Sequence, residues 1–180
     1  MENERKPDVK MIEWTLAANR KRGVDLNALF LDFDGVINVF YEPGTKAYEE
    51  KVKRSVDKFD FAEKYCIEHL NQLSRDFNLH VIISSSWRFG KLKGCIKYLV
   101  DEGMDKKVNV FDTTQIEVFQ SRQLDIEEYL LSHPVYSNYV ILDDMEMPAL
   151  KDHLVQTDPT KGWDDAADQK VRAILKKRCQ

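Results

Sequence analysis

Asp32 and Asp34 stand one residue apart at the end of an apolar run, Ala28-Leu29-Phe30-Leu31, and directly before Gly35. At the carboxyl end of a strand, a period of two places both carboxylates on the same side of the pleat. Carboxylates that close repel unless one is protonated or a cation lies between them. A hard divalent ion answers that need, because Mg²⁺ binds through one or two carboxylates and keeps its other positions for water and phosphate oxygens. Asp143-Asp144, behind a second apolar run, would complete such a site, so Asp32, Asp34, Asp143 and Asp144 are the candidate metal ligands. Ser84 follows His80-Val81-Ile82-Ile83 and offers a hydroxyl to a phosphoryl oxygen. Ser85 or Ser86 would cap the next helix, whose N-terminal amides favour an anion. Trp87 and Arg88 flank that pocket, and Arg122 would bring a planar positive fork to a transferring group. Ser84, Ser85, Arg88 and Arg122 are thus the candidate substrate-binding residues.

The elements that must position these groups follow from apolar periodicity. Residues 28–33 read as a strand buried on both faces, as in a parallel sheet, stopped by Asp34-Gly35. Phe61, Tyr65, Ile67, His69, Leu70 and Leu73 recur at near-helical spacing ahead of a second strand at 80–83. An amphipathic stretch through Ile96, Leu99 and Val100 ends at Gly103, and Val108-Asn109-Val110-Phe111 predicts a third strand. Ile126, Tyr129 and Leu130 share one side of a helix that stops before Pro134, and Tyr139-Val140-Ile141-Leu142 is a fourth strand. A last helix spans about 164–177 with Ala166, Val171, Ile174 and Leu175 inward. Helices alternating with short apolar strands predict an α/β fold, three-layered, with a mostly parallel central sheet. Ligands of such sheets bind beyond the carboxyl ends of the strands, near a switch in strand order.

Composition narrows the function classes. The 180 residues suit one domain, read as 26–180, with residues 1–25 as a polar N-terminal appendage carrying a short helix around Met11, Ile12, Trp14 and Leu16. A net charge of -4 removes the broad cationic field of a sequence-independent duplex binder. No apolar run approaches the roughly 18 residues of a membrane span. Cys66, Cys95 and Cys179 form neither a CxxC pair nor an even framework, which fits a reducing cytoplasm.

Four strings in this order resemble the haloacid dehalogenase (HAD) superfamily of phosphohydrolases: Leu29-Phe30-Leu31-Asp32-Phe33-Asp34-Gly35-Val36-Ile37-Asn38, Val81-Ile82-Ile83-Ser84-Ser85-Ser86-Trp87-Arg88, Arg122, and Ile141-Leu142-Asp143-Asp144. The SSSWR string, Arg122 before Ile126 and Tyr129-Leu130, and the tail from Leu154 to Pro159 with Gly162 are similar to the HAD domains of Swiss-army-knife RNA repair proteins. The resemblance implies a Rossmann-like α/β/α fold and a Mg²⁺-dependent two-step phosphoryl transfer with Asp32 and Asp34 catalytic. Asp32 would attack phosphorus to form an aspartyl-phosphate. Asp34 would protonate the leaving oxygen and then deprotonate the water that releases phosphate. Mg²⁺ would be held by Asp32, the backbone carbonyl of Asp34 and one of Asp143 or Asp144. Arg122 replaces the commoner lysine, with Lys91, Lys93, Lys97, Lys106 and Lys107 as rival cations. Neither interval between motifs is long enough for a large cap domain. An open site of this kind suits an RNA or DNA terminal phosphate or a phosphoprotein.

Each feature also has an ordinary reading. Ser85 and Ser86 serve as helix caps, and Arg122 could pair with Asp125 or a nearby glutamate. Trp87 is a core or groove wall rather than a base-stacking platform, while Trp14 and Trp163 are packing. His69, His80, His133 and His153 show no zinc spacing. Lys51–Lys58 and Lys170–Arg178 read as solvated helix faces. A binding module of the same fold without turnover, and a phosphotransferase to an acceptor other than water, are the alternatives.

Overall fold

The sheet is organised around β1 (Asn27–Leu31), every residue of which is buried. Its alternate side chains serve opposite faces: Leu29 and Leu31 join one apolar cluster, Ala28 and Phe30 the other. That two-sided burial is why the strand reads as a continuous apolar run. This computed structural model describes residues 9–54, 62–115 and 120–177, so Phe61, Ser55–Lys58, Cys179 and Arg178 lie outside the described residues.

In chain order the described elements are α1 (Val9–Lys21), β1, α2 (Lys46–Arg54), α3 (Lys64–Asp76), β2 (Leu79–Ile83), a 3₁₀ turn (Ser86–Gly90), α4 (Lys91–Asp101), β3 (Val110–Thr113), α5 (Arg122–Ser132), β4 (Asn138–Asp143), a second 3₁₀ turn (Pro148–Leu150), β5 (Leu154–Gln156) and α6 (Asp165–Lys176). The strands pair in the order β3-β2-β1-β4-β5, all parallel. Strand order therefore reverses at β1, between β2 and β4. This is the three-layer Rossmann-like α/β fold expected from the sequence. Helices α3, α4 and α6 cover one face and α1 and α5 the other.

The packing explains most of the pattern. On one face α3 buries Cys66, Ile67, Leu70 and Leu73, and Trp163 is fully enclosed. On the other, Phe30 meets Tyr129 and Tyr139 edge to face, with ring centroids 5.6 and 6.2 Å apart. Ile12 and Leu16 of α1 close this second cluster, and Asn19 Nδ2 donates to the carbonyls of Pro134 and Tyr136 at 3.0 and 2.8 Å.

Several local expectations are corrected. A fifth strand, β5, extends the sheet, and β3 begins at Val110 rather than Val108. Helix α6 turns Ala167 inward and leaves Ala166 exposed. Trp14 is 69% exposed and is not packing. Lys51 is buried, its Nζ donating to the carbonyl of Val39, so that part of the lysine-rich stretch is no solvated face. Of the described elements between the motifs, α3, α4 and β3 pack into the main core cluster. No described helix is long and apolar enough to cross a membrane.

Candidate active site

Register assembles the site. Leu31 of β1 pairs with Ile83 on one side and Leu142 on the other, so the next residues, Ser84, Asp32 and Asp143, come out side by side at the carboxyl ends of β2, β1 and β4. Neighbouring strands run about 4.8 Å apart. Backbone bonds continue the alignment past the strands: the Ser84 amide donates to Leu31 at 3.0 Å and the Asp32 amide to Leu142 at 3.1 Å. The row stands where strand order reverses, the position at which open α/β sheets bind ligands.

Asp32, Asp143 and Asp144 bring carboxylate oxygens within 4.8 Å of one another. Asp32 and Asp143 are buried. Burial, and then the charge of Asp32, push the Asp143 carboxyl up to about 6, and the same two causes raise Asp144. Arg122, the first residue of α5, stands against this repulsion. Its Nη1 donates to Asp32 Oδ2 and, at 2.7 Å, to Asp143 Oδ2. Burial disfavours the guanidinium charge, but these two carboxylates outweigh it and raise the Arg122 pKa. Ser121 places the residue by capping α5, its Oγ accepting from the Leu124 amide at 3.3 Å. One guanidinium balances one of three carboxylates, leaving an uncompensated, partly buried, all-oxygen donor set of the kind a hard divalent cation fits.

The other side of Asp32 holds an orphan. Ser84 Oγ is fully buried and has no hydrogen-bond partner among the described residues, an arrangement that costs free energy unless a ligand completes it. Ser85 caps the 3₁₀ turn, accepting from the Trp87 amide at 3.3 Å. Arg88 departs from its expected place at the substrate. Its guanidinium is turned inward, donating to the carbonyls of Ser84 and Ser85 and, at 2.6 Å, to Asp125 Oδ2. Asp125, weighed as a partner for Arg122, thus pairs with Arg88, and Arg122, not one of the lysines, reaches Asp32.

Asp34 is also placed differently from the strand-period expectation. β1 ends at Leu31, and residues 33–38 wind into a tight turn in which the amides of Val36, Ile37 and Asn38 all point to the Phe33 carbonyl at 3.2, 2.9 and 2.8 Å. The Asp34 carboxylate therefore leaves the acidic cluster and accepts from Trp87 Nε1 at 2.8 Å and Asn38 Nδ2 at 3.0 Å. Gly35, at φ +76, permits this turn, and a Cβ there would stand 2.7 Å from Asp144 Oδ2. The tail beyond β5 clamps the turn from outside: Thr157 Oγ1 donates to the Gly35 carbonyl at 2.9 Å, and the Trp163 amide donates to Val36 at 2.8 Å. Asn38 and Thr157 stand in the strings that carry the resemblance but had no role assigned, and Tyr98 was not named. The spacing of Asp34 and Asn38, one turn apart, was the available signal for the first.

Residues 28–167 match the family described as the HAD domain in Swiss Army Knife RNA repair proteins. No curated protein and no solved structure gives a match.

Proposed function

The chain belongs to this family of HAD domains, and from that premise we propose that it is a Mg²⁺-dependent phosphomonoesterase that works through an aspartyl-phosphate and removes the terminal phosphate of a nucleic acid. The observation that carries the reading is the single Arg122 nitrogen shared by Asp32 and Asp143. It spends one nitrogen of the guanidinium on orienting the two acids and leaves the rest of the fork for phosphoryl oxygens.

Each residue then has a task. Asp32 Oδ attacks phosphorus and the bond from phosphorus to the leaving oxygen breaks. Asp34 gives its proton to that oxygen, then takes a proton from the water that attacks the aspartyl-phosphate, returning Asp32 and inorganic phosphate. Ser84 Oγ–H donates to a phosphoryl oxygen, satisfying its own buried hydroxyl, and Arg122 spreads positive charge over the group in transfer. Asp32, Asp143 and Asp144, with the Asp34 carbonyl, would hold Mg²⁺, which supplies the charge that lets a carboxylate approach a phosphate dianion. The RNA-repair context of the family directs the substrate toward a nucleic-acid end.

The test is phosphate release from p-nitrophenyl phosphate with and without Mg²⁺, for wild type and Asp32→Asn, followed by a 3′-phosphorylated oligonucleotide and a phosphotyrosine peptide. Mg²⁺-dependent turnover lost in Asp32→Asn, with the oligonucleotide preferred, is the expected result. Preference for the peptide would overturn the substrate, and no turnover on any of the three would overturn the activity.

A further inference from the structure

Asp34 is held at both carboxylate oxygens. Asn38 Nδ2 donates to Oδ1 at 3.0 Å and the Trp87 indole N–H donates to Oδ2 at 2.8 Å. Behind Asn38, the Tyr98 hydroxyl donates to Asn38 Oδ1 at 2.5 Å. That contact decides which end of the amide faces Asp34, because with its oxygen taken by Tyr98 the amide presents its NH₂. The opposite orientation would set an amide oxygen against a carboxylate oxygen. Trp87 is fixed in turn by its ring: Phe33 lies edge-on to it at 5.6 Å, and Tyr98 lies against it at 4.8 Å. Phe33 and Tyr98 also touch each other, with centroids 5.6 Å apart. Three aromatic rings and one amide thus form a frame around a single carboxyl group.

Solvation does not require this frame. Asp34 is partly exposed, and water would satisfy its oxygens at little cost. What the frame adds is orientation. Both donors are uncharged, so they fix the direction of the carboxyl without placing a full positive charge beside it, as a lysine or arginine would. Two accepted bonds also leave lone pairs on both oxygens for a proton or a leaving group. We infer that Trp87, together with the pair Asn38 and Tyr98, positions Asp34 for proton transfer to the leaving oxygen. Trp87 and Tyr98 are positioning residues, acting through Asp34 rather than on the substrate. The inference rests on the reading of Asp34 as the proton carrier.

Such a role has a signature that simple structural support lacks. A leaving group that departs readily as an anion needs no proton, whereas an alkoxide does. In Trp87→Phe, which keeps an aromatic ring and removes the N–H, kcat/KM for a 3′-phosphorylated oligonucleotide is expected to fall about 10²-fold, the scale of a misplaced catalytic group. For 2,4-dinitrophenyl phosphate it is expected to stay within about 3-fold, since acid catalysis contributes little there. Tyr98→Phe is expected to show the same contrast, smaller in size. Equal losses on both esters in Trp87→Phe would overturn the inference while leaving the phosphatase reading intact. Absence of wild-type turnover on both esters would sink the phosphatase reading and the inference with it. A second measurement does not depend on activity. In ¹⁵N-labelled protein the Trp87 indole resonance, identified by its loss in Trp87→Phe, is expected to shift in Asp34→Ala while those of Trp14 and Trp163 stay in place. An unmoved Trp87 resonance would also overturn the inference.

Discussion

Gly162 is where one methyl group should do the most damage for its size. The residue sits at φ +60, and a Cβ there would lie 2.4 Å from the Val36 carbonyl oxygen and 2.7 Å from Val39 Cγ2. The oxygen has no room to retreat, since it accepts the Trp163 amide at 2.8 Å within the turn that carries Asp34. Left-handed backbone costs a residue with a side chain roughly 1–2 kcal/mol, and forcing an atom into packed space adds about 1–3 kcal/mol. Gly162→Ala is therefore expected to lose about 2–5 kcal/mol of stability. Gly23→Ala is the matched control, because Gly23 has φ +77 with nothing within 4 Å of the added carbon. It should carry the backbone cost alone, roughly 1–2 kcal/mol. Urea unfolding followed by far-UV circular dichroism compares the two, and with a slope of about 1–3 kcal/mol per molar the midpoints should differ by about 1 M. In Gly162→Ala the surviving folded protein should also lose phosphate release, since the displaced backbone holds Asp34. A Gly162→Ala protein as stable as Gly23→Ala would refute the reasoning.

Two further substitutions probe buried charge. Glu127 is fully buried, neither of its oxygens makes a well-formed hydrogen bond among the described residues, and burial raises its pKa above 4.5 against a smaller, opposing pull from the Gln123 side chain. A carboxyl that holds its proton more tightly folded than unfolded makes stability fall as pH rises from the unfolded value through the folded one. Glu127→Met is thus expected to be more stable than wild type at pH 8 by about 1–3 kcal/mol, with the gain gone near pH 4, as read from thermal unfolding across pH; a gain independent of pH would contradict it. Asp125→Ala leaves Arg88, with a side chain 7% exposed, without its carboxylate. The expected loss is about 3–5 kcal/mol by urea unfolding, and Arg88→Met with Asp125→Leu should restore part of it. A loss below that of a surface ion pair would show that Arg88 finds other partners.

The legible parts of the sequence were those in which one strong pattern had one cause. β1 and β4 are buried on both faces, so their apolar runs announced a parallel sheet, and Asp32, Ser84, Asp143 and Asp144 stood at strand ends. β5 escaped because it has three residues and leaves Gln156 exposed, too short for any period to show. The inward face of α6 was misjudged at Ala166 because alanine suits either side of a helix. Arg88 and Arg122 carry the same group, and nothing local separates them; pairing across the fold does, through Asp125 for one and Asp32 with Asp143 for the other. Asp34 was set beside Asp32 by strand period, whereas the chain had already left the strand at Leu31. The tilt of Trp87 onto Asp34 depends on Phe33 and Tyr98, contacts between α4 and the first turn that no spacing encodes.

The clamp formed by Thr157 and Trp163 bears on how the protein is made. A ribosome delivers Asp32 and Asp34 before β2 and Ser84, Asp143 after these, and the tail that grips Gly35 and Val36 later still. Until Trp163 has emerged, the Val36 carbonyl lacks the amide that fixes it, and the turn that aims Asp34 is untied. The site is thus finished only once Trp163 has been made, and a nascent chain arrested before residue 163 carries the acidic residues without the geometry that gives them purpose.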